Sequence, residues 1–118
     1  MPAFFVFEQT ADKGAIYEFT FQLNDQIKIA EARRIIADPT IIKSHVQGKI
    51  ISTKAVYNPN WSFHLDPDTV SFFEFSTEVC DASAAVIETD LAKVGSSFLP
   101  NNHWCAWTSR PVREITLG

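Results

Sequence analysis

The chain has 118 residues, of which 46% are hydrophobic and 13% are aromatic. This length fits one domain with its own core, and this composition excludes a disordered chain. The net charge of −4 and the scattered lysines and arginines exclude a nucleic-acid-binding surface, which needs a clustered cationic face. We therefore expect a single soluble domain over residues 1–118, with no nucleic-acid partner.

The chain contains no apolar run near the roughly 20 residues that span a bilayer, so we expect no membrane partner. Its N-terminal segment, Met1 to Glu8, lacks a basic region and reaches an acidic residue too soon for a secretory signal. The expected location is the cytoplasm, or outside the cell after release without a standard signal peptide.

The hydrophobic pattern predicts strands and helices in the order ββα-β-ββ-α-β. Alternation is clearest in the second strand, where Tyr17, Phe19 and Phe21 alternate with polar residues. The predicted strands lie at residues 4–8, 15–23, within 41–51, and at 61–65, 70–75 and 109–116. This order indicates an α+β fold, a mainly antiparallel sheet with two helices packed on one face.

Periodicity and capping residues predict the two helices. The first spans about residues 26–37, with Asn24 or Asp25 as N-cap and Asp38-Pro39 as its end. The second follows Asp81 as N-cap and precedes an aromatic loop over residues 98–107. The predicted buried faces are Ile29, Ala32 and Ile36, with Ile35 beside them, and then Ala84, Ile87, Leu91 and Val94.

Cys80 and Cys105 are too few for a disulfide scaffold, and no Cys-x-x-Cys motif indicates zinc or redox chemistry. Two buried thiols are the leading interpretation, and one disulfide between the second helix and the C-terminal loop is the alternative. His103 lies two residues from Cys105, but such near neighbours rarely point at one reacting atom. We therefore expect no enzymatic activity.

A metal site is the second chemical alternative. His64 and Asp66 lie on one face of a predicted strand, and His103 or Glu74 would complete the ligand set. A hydrogen bond from His64 to a nearby carboxylate explains this pattern more simply. We expect neither a metal nor a cofactor.

Several longer motifs resemble a known family. They are Tyr57-Asn58-Pro59-x-Trp61-Ser62-Phe63-His64-Leu65-Asp66-Pro67-Asp68, Phe72-Phe73-Glu74, Glu78-Val79-Cys80-Asp81-Ala82, Phe98-Leu99-Pro100 and Trp104-Cys105-x-Trp107-x-Ser109-Arg110. The set is similar to a family of small stand-alone proteins from bacteria and fungi. That family includes the N-terminal domain of a slime-mould protein described as calmodulin-binding. The resemblance covers nearly the whole chain and implies no catalytic residues.

The segment around Lys54 carries the sharpest functional signal. A serine-protease inhibitor enters the protease cleft like a substrate, on a rigid exposed loop, and a trypsin-like S1 pocket requires Lys or Arg at P1. Thr53, Lys54 and Ala55 supply a β-branched P2, a basic P1 and a small P1′ residue, and Val56 follows. The triplet resembles the Thr-Lys-Ser reactive site of legume double-headed trypsin inhibitors. We expect a non-enzymatic inhibitor of a trypsin-like serine protease, acting as a monomer or weak dimer.

Three alternatives remain open. Lys43 and Arg110 are competing basic residues for the same role. Trp104 and Trp107 could form an aromatic surface for a protein or carbohydrate partner. The first helix carries basic residues beside its isoleucines, a partial match to a calmodulin target, although its apolar stripe is needed for the core.

Overall fold

The first sheet is built on a hairpin of the two predicted N-terminal strands. In a computed structural model that describes residues 1–117, β1 (Ala3–Thr10) pairs antiparallel with β2 (Ile16–Leu23). The hairpin turn, Asp12–Gly14, ends at a glycine with φ of 78°, a conformation that glycine adopts without strain. The last strand, β9 (Ser109–Ile115), pairs with the other side of β1, which gives the order β2-β1-β9.

The second sheet is centred on β3 (His45–Ile51), which pairs antiparallel with three other strands. The strand β5 (Ser71–Phe73) pairs with its first residues, β8 (His103–Ala106) with its middle, and β4 (His64–Leu65) with its end. The strand predicted at residues 61–65 is thus much shorter, since only its last two residues pair.

Helix α1 (Gln26–Ala37) has the predicted bounds. Asp25 is its N-cap, because the carboxylate accepts hydrogen bonds from the backbone N–H groups of Ile27 and Lys28. The fully buried residues of the helix are Ile29, Ala32 and Ile35. The predicted stripe is therefore right except at its end, where Ile35 is buried and Ile36 is half-buried.

Helix α2 (Ala84–Thr89) is shorter than the periodicity predicts. Its N-cap is Ser83 rather than Asp81, since the Ser83 hydroxyl accepts from the N–H of Val86. The helix ends at Asp90, a residue type with low helix propensity. The two remaining apolar positions of the predicted face therefore lie elsewhere: Leu91 in a 3₁₀ turn, and Val94 in a short strand.

The predicted aromatic loop over residues 98–107 contains two strands. The first, β7 (Phe98–Pro100), pairs in parallel with the two-residue strand β6 (Val94–Gly95), and the second is β8. Asn101 and Asn102 form the tight turn between them, with φ of 60° and 62°. Asparagine adopts this left-handed conformation more readily than most residues, because its short side-chain amide can form hydrogen bonds with the nearby backbone.

Aromatic rings fill the core between the two sheets. Phe7, Phe19, Phe63 and Trp104 are each at most 1% exposed. The rings of Phe7, Phe19 and Phe63 lie 5.8, 5.2 and 5.8 Å from the indole of Trp104 in edge-on geometry, which favours aromatic pairs beyond their burial. The α+β prediction is confirmed by this arrangement of sheets and helices. Within residues 1–117, no helix is long and apolar enough to cross a membrane.

Candidate functional site

The candidate inhibitory loop, residues 52–63, connects β3 to β4 and contains no regular secondary structure. Thr53 and Lys54 are exposed on it, Ala55 is half-buried, and Val56 is 95% exposed. Among the described residues, no acidic group forms an ion pair with Lys54. The ammonium group therefore faces solvent without an internal partner.

The carbonyl groups on either side of Lys54 are held by hydrogen bonds. The carbonyl oxygen of Thr53 accepts from Nδ1 of His64 over 2.6 Å, so this ring nitrogen carries the proton. The carbonyl oxygen of Ala55 accepts from the backbone N–H of Asn58 over 3.0 Å. These two bonds fix the Thr53–Lys54 and Ala55–Val56 peptide groups, which flank the Lys54–Ala55 peptide bond, while the Lys54 side chain stays free to extend.

Asn58 anchors the base of the loop. It is only 2% exposed, and its side-chain amide donates to the carbonyl of Phe63 over 3.1 Å. Its Oδ1 accepts from the N–H of Thr20 in β2 over 2.9 Å. Sequence reasoning treats Asn58 only as a turn residue before Pro59. It misses the anchoring role, because the partners of Asn58 lie elsewhere in the chain.

The far end of the loop is fixed to β2 and α2. Trp61 donates from its indole N–H to the carbonyl of Glu18 over 2.8 Å, and the ring meets Tyr17 edge-on at 5.9 Å. The backbone N–H of Ser62 donates to the carboxylate of Glu88 over 2.8 Å. The loop thereby covers the outer edge of β2, which would otherwise present unpaired backbone groups.

Tyr57, a residue of the loop, packs against two aromatic side chains. Its ring lies 5.2 Å from Phe4 and 6.2 Å from His64, the residue that holds the Thr53 carbonyl. Burial, and then the charge of Asp66, raise the pKa of the Tyr57 hydroxyl, so the phenol stays neutral at physiological pH.

Lys43 is exposed, but it lies at the centre of a tight turn. The backbone N–H of Ser44 donates to the carbonyl of Ile42 over 2.9 Å, a bond that spans only three residues. Such a turn folds the chain back on itself, whereas a substrate-like segment must be extended. Lys43 thus lies at the centre of its turn, whereas Lys54 precedes the turn that the N–H of Asn58 closes onto the carbonyl of Ala55.

Arg110, predicted as an alternative binding residue, is held by carbonyl groups of the fold. It lies in β9, and its guanidinium donates to the carbonyls of Ile35, Asp38 and Ile41 over 2.8 Å each. These bonds satisfy carbonyl groups in and just beyond the last turn of α1 and place a cation at the negative end of its dipole. Arg110 therefore fastens the helix to the sheet.

The two tryptophans of the predicted aromatic surface differ in their exposure. Trp104 is 1% exposed, and its indole N–H donates to the carbonyl of Ala82 over 2.9 Å. Trp107 is half-buried and meets Phe73 edge-on at 5.5 Å. The two indoles thus form no shared accessible surface, and only Trp107 keeps an exposed edge.

A family model described as the BP-74 N-terminal domain matches residues 1–118. The chain belongs to this N-terminal domain family. The match agrees with the resemblance carried by the longer motifs. No curated protein and no solved structure gives a significant match to the chain.

In this member of the family the two cysteines are joined, so the leading interpretation of two thiols is wrong. Cys80, just before α2, forms a disulfide with Cys105 in β8, with the two Cα atoms 5.0 Å apart. Both cysteines are buried, and among the described residues no cysteine is free. In this state Cys105 has no thiol to act as a nucleophile with His103.

The metal ligands suggested by the sequence of this family member do not come together. Nδ1 of His64 holds the Thr53 carbonyl, and the carboxylate of Asp66 caps a 3₁₀ turn by accepting from the N–H of Asp68. In the described part of the chain, the one group of three metal-ligating side chains joins Cys80, His103 and Cys105.

One basic residue of α1 is tied to the sheet. Arg33 forms a bidentate ion pair with Glu114 of β9, with distances of 2.8 and 2.9 Å. The apolar face of the helix is buried in the core. To bind α1 as a target helix, calmodulin would have to break the Arg33–Glu114 ion pair and pull the apolar face of the helix out of the core.

Proposed function

We propose that this domain inhibits a trypsin-like serine protease by presenting Lys54 as the P1 residue of the candidate inhibitory loop. The observation that supports this most directly is the pair of hydrogen bonds that hold the carbonyls of Thr53 and Ala55. They fix the backbone on both sides of an exposed lysine that has no ion-pair partner among residues 1–117.

Rigidity matters because a flexible loop loses conformational entropy when it binds. Fixing one residue costs about 1–2 kcal/mol, so a segment of several residues held beforehand gains much of its affinity from that order. The loop bonds of Asn58, Trp61 and Ser62 supply such order in the unbound domain. The same bonds would hold both ends in place after cleavage, which favours resealing over product release.

The side chains around Lys54 suit the cleft of a trypsin-like enzyme. The ammonium group would pair with the carboxylate at the base of the S1 pocket. Ala55 is small enough for the crowded P1′ position. Val56, which is 95% exposed, would offer an apolar P2′ contact to the protease.

Of the two expected locations, the cytoplasm and the outside of the cell, the disulfide favours the outside. Disulfides persist in oxidising compartments and are rare in a reducing cytosol. A domain with this bond would work where it stays oxidised, and secreted serine proteases share that environment.

A module that binds a protein or carbohydrate through Trp104 and Trp107 is the weaker proposal. Burial removes Trp104 from any such contact, and the remaining edge of Trp107 is small. Glycan binding by the intact domain, lost in Trp107→Ala, would support it over inhibition.

The deciding measurement is residual trypsin activity on a small chromogenic substrate, titrated with this domain. We expect a stoichiometric loss of activity with the unchanged protein and no loss with Lys54→Ala. Lys49→Ala is the matched control, since Lys49 is an exposed lysine of the neighbouring strand β3. Full trypsin activity at a large excess of the domain would reject the proposal for this enzyme. Inhibition by Lys54→Ala equal to that of the unchanged protein would reject the loop assignment.

A further inference from the structure

A second group of reactive side chains surrounds the disulfide. We call Cys80, Cys105, His103 and Glu78 the sulfur–histidine cluster. The ligand atoms of the two cysteines and His103 all lie within 4.8 Å of one another. None of these residues belongs to the candidate inhibitory loop, so the cluster is independent of the proposed inhibition.

We propose that the cluster binds one zinc ion when its disulfide is reduced. A dithiol reductant donates two electrons and two protons to the Cys80–Cys105 bond, which gives two thiols and converts the reductant to its own disulfide. Zinc then displaces one proton from each thiol and is bound by two thiolate sulfurs and Nε2 of His103. A small disulfide oxidant that accepts two electrons from the thiolates, and is itself reduced to two thiols, would re-form the Cys80–Cys105 bond and release the metal.

The position of His103 fits this coordination. Its Nε2 lies 3.6 Å from Sγ of Cys105. Zinc–sulfur bonds of about 2.3 Å and zinc–nitrogen bonds of about 2.0 Å at a tetrahedral angle place the two ligand atoms roughly 3.5 Å apart. The imidazole therefore already stands at ligand distance from one sulfur.

Glu78 prepares the imidazole for a metal. Nδ1 of His103 lies 2.7 Å from a carboxylate oxygen of Glu78, which accepts its hydrogen bond. The proton is thus held on Nδ1, and the lone pair of Nε2 faces the sulfurs. Histidines that bind zinc commonly donate their other ring N–H to a carboxylate in this way, which orients the ring and raises its basicity.

The protein scaffold holds the two cysteines together without their covalent bond. The backbone N–H of Cys105 donates to the carbonyl of Cys80 over 2.7 Å. Cys105 also pairs with Gln47 in the ladder between β8 and β3. After reduction, the two thiols would therefore remain adjacent, and binding would require only a small separation of the sulfurs.

Zinc is the ion that suits these ligands and this setting. Two thiolates and one imidazole select zinc over hard cations such as calcium or magnesium. The cysteines are at most 1% exposed, while the His103 side chain is 32% exposed and gives the metal a route from solvent. The fourth position would face the same route and be occupied by water.

Cobalt(II) is the spectroscopic probe for this test, because it substitutes for zinc and absorbs visible light when thiolates bind it tetrahedrally. The full chain is reduced with a dithiol, freed of reductant without air, and titrated with cobalt. We expect visible bands that saturate at one equivalent and disappear on adding zinc. The oxidised protein should give none. Absence of the bands in the reduced protein would overturn the proposal.

Variants separate a built site from chance binding to two thiols. Glu78→Gln is expected to weaken zinc binding by about 10- to 100-fold, and His103→Gln by more. Glu74→Gln is the matched control, an exposed glutamate that does not belong to the cluster, and should bind as the unchanged protein does. Equal affinity in His103→Gln would reject the proposed ligand set.

Folding is followed in the same samples by the near-ultraviolet circular dichroism of the tryptophans. If reduction alone weakens this signal, one equivalent of zinc should restore it. A reduced chain that loses the signal and does not regain it with zinc would also reject the proposal.

Discussion

Oδ1 of Asn58 accepts a hydrogen bond of 2.9 Å from the backbone N–H of Thr20, a residue 38 positions earlier in the chain. The bond joins the candidate inhibitory loop, which extends from the second sheet, to the edge strand of the first. The position of Lys54 is thus set by both sheets together rather than by the loop alone.

Replacing Asn58 with alanine should weaken the domain and the loop together. The N–H of Thr20 and the carbonyl of Phe63 would each lose a buried partner, so we expect a loss of about 2 kcal/mol in the free energy of unfolding. Trypsin should then cleave the variant after Lys54 and release it as product, which mass spectrometry would detect. Urea unfolding measures the stability.

Asn60→Ala is the control for this experiment, because Asn60 is an exposed residue of the same loop. It should keep both stability and inhibition. An Asn58→Ala protein that stays folded and inhibits trypsin as tightly as the unchanged protein would show that the anchor does not serve the loop.

The specificity of inhibition should follow the side chain at position 54. Lys54→Leu removes the cation that a trypsin-like S1 pocket binds and supplies the apolar group that a chymotrypsin-like pocket prefers. We expect trypsin inhibition to weaken by about 100-fold or more and chymotrypsin inhibition to appear. Inhibition constants for both enzymes test this, and an unchanged preference for trypsin would contradict it.

Arg110 should affect stability and leave inhibition intact. Arg110→Ala leaves the carbonyls of Ile35, Asp38 and Ile41 without their charged donor, so we expect a loss of about 2 kcal/mol in unfolding free energy. Arg110→Lys should recover only part of the lost stability, because one ammonium group lacks the planar, forked set of donors of a guanidinium group. Loss of trypsin inhibition in a folded Arg110→Ala protein would make Arg110 a competitor of Lys54.

Two ion pairs on the first sheet should add an acid-sensitive component to stability. Arg113 lowers the pKa of Glu18, and Arg33 lowers the pKa of Glu114, in each case mainly through a side-chain hydrogen bond. A carboxyl group whose pKa is lower in the folded state contributes stability that is fully present above its ordinary value of 4.5. That contribution is lost as the pH falls through the lower, folded value.

The double variant Glu18→Gln/Glu114→Gln tests this dependence by urea unfolding across a pH series. Its stability deficit relative to the unchanged protein should be constant above the ordinary carboxyl value and vanish in stronger acid. High salt should shrink the deficit, because both pairs are exposed. A deficit that stays constant down to strongly acidic pH would point to packing rather than charge.

The disulfide should contribute measurably to global stability. It links residues 25 positions apart, and closing a loop of that length in the unfolded chain is worth about 3.5 kcal/mol. Cys80→Ala/Cys105→Ala should lose about this amount in metal-free urea unfolding. Reductant should lower the stability of the unchanged protein toward that of the variant and leave the variant unaffected. Equal stability of both oxidised proteins would contradict the prediction.

Sequence reasoning finds the elements whose limits are set locally. The first helix is right at both ends because Asp25 caps it and Asp38-Pro39 stops it, and those signals act within a few residues. The prediction overextends the second helix because Leu91 and Val94 keep helical spacing, although the backbone leaves the helix at Asp90. The spacing of apolar residues in the sequence does not show where the backbone leaves the helix.

The candidate site divides in the same way. The exposed position of Lys54 in a loop between strands follows from the residues around it. The anchor at Asn58 and the disulfide do not, since each depends on contacts that only the completed fold creates. The sequence makes Arg110 look like a free cation because two of its acceptors, in and just beyond α1, lie 75 and 72 residues away.

Trp107 packs against the small cluster formed by the disulfide and Phe73. A disulfide in contact with an indole quenches its fluorescence, so the emission of Trp107 should depend on whether the bond is closed. Trp104 and Trp61 pack instead in the main core. We therefore expect the isolated domain to report its own redox state through this emission, without an added label.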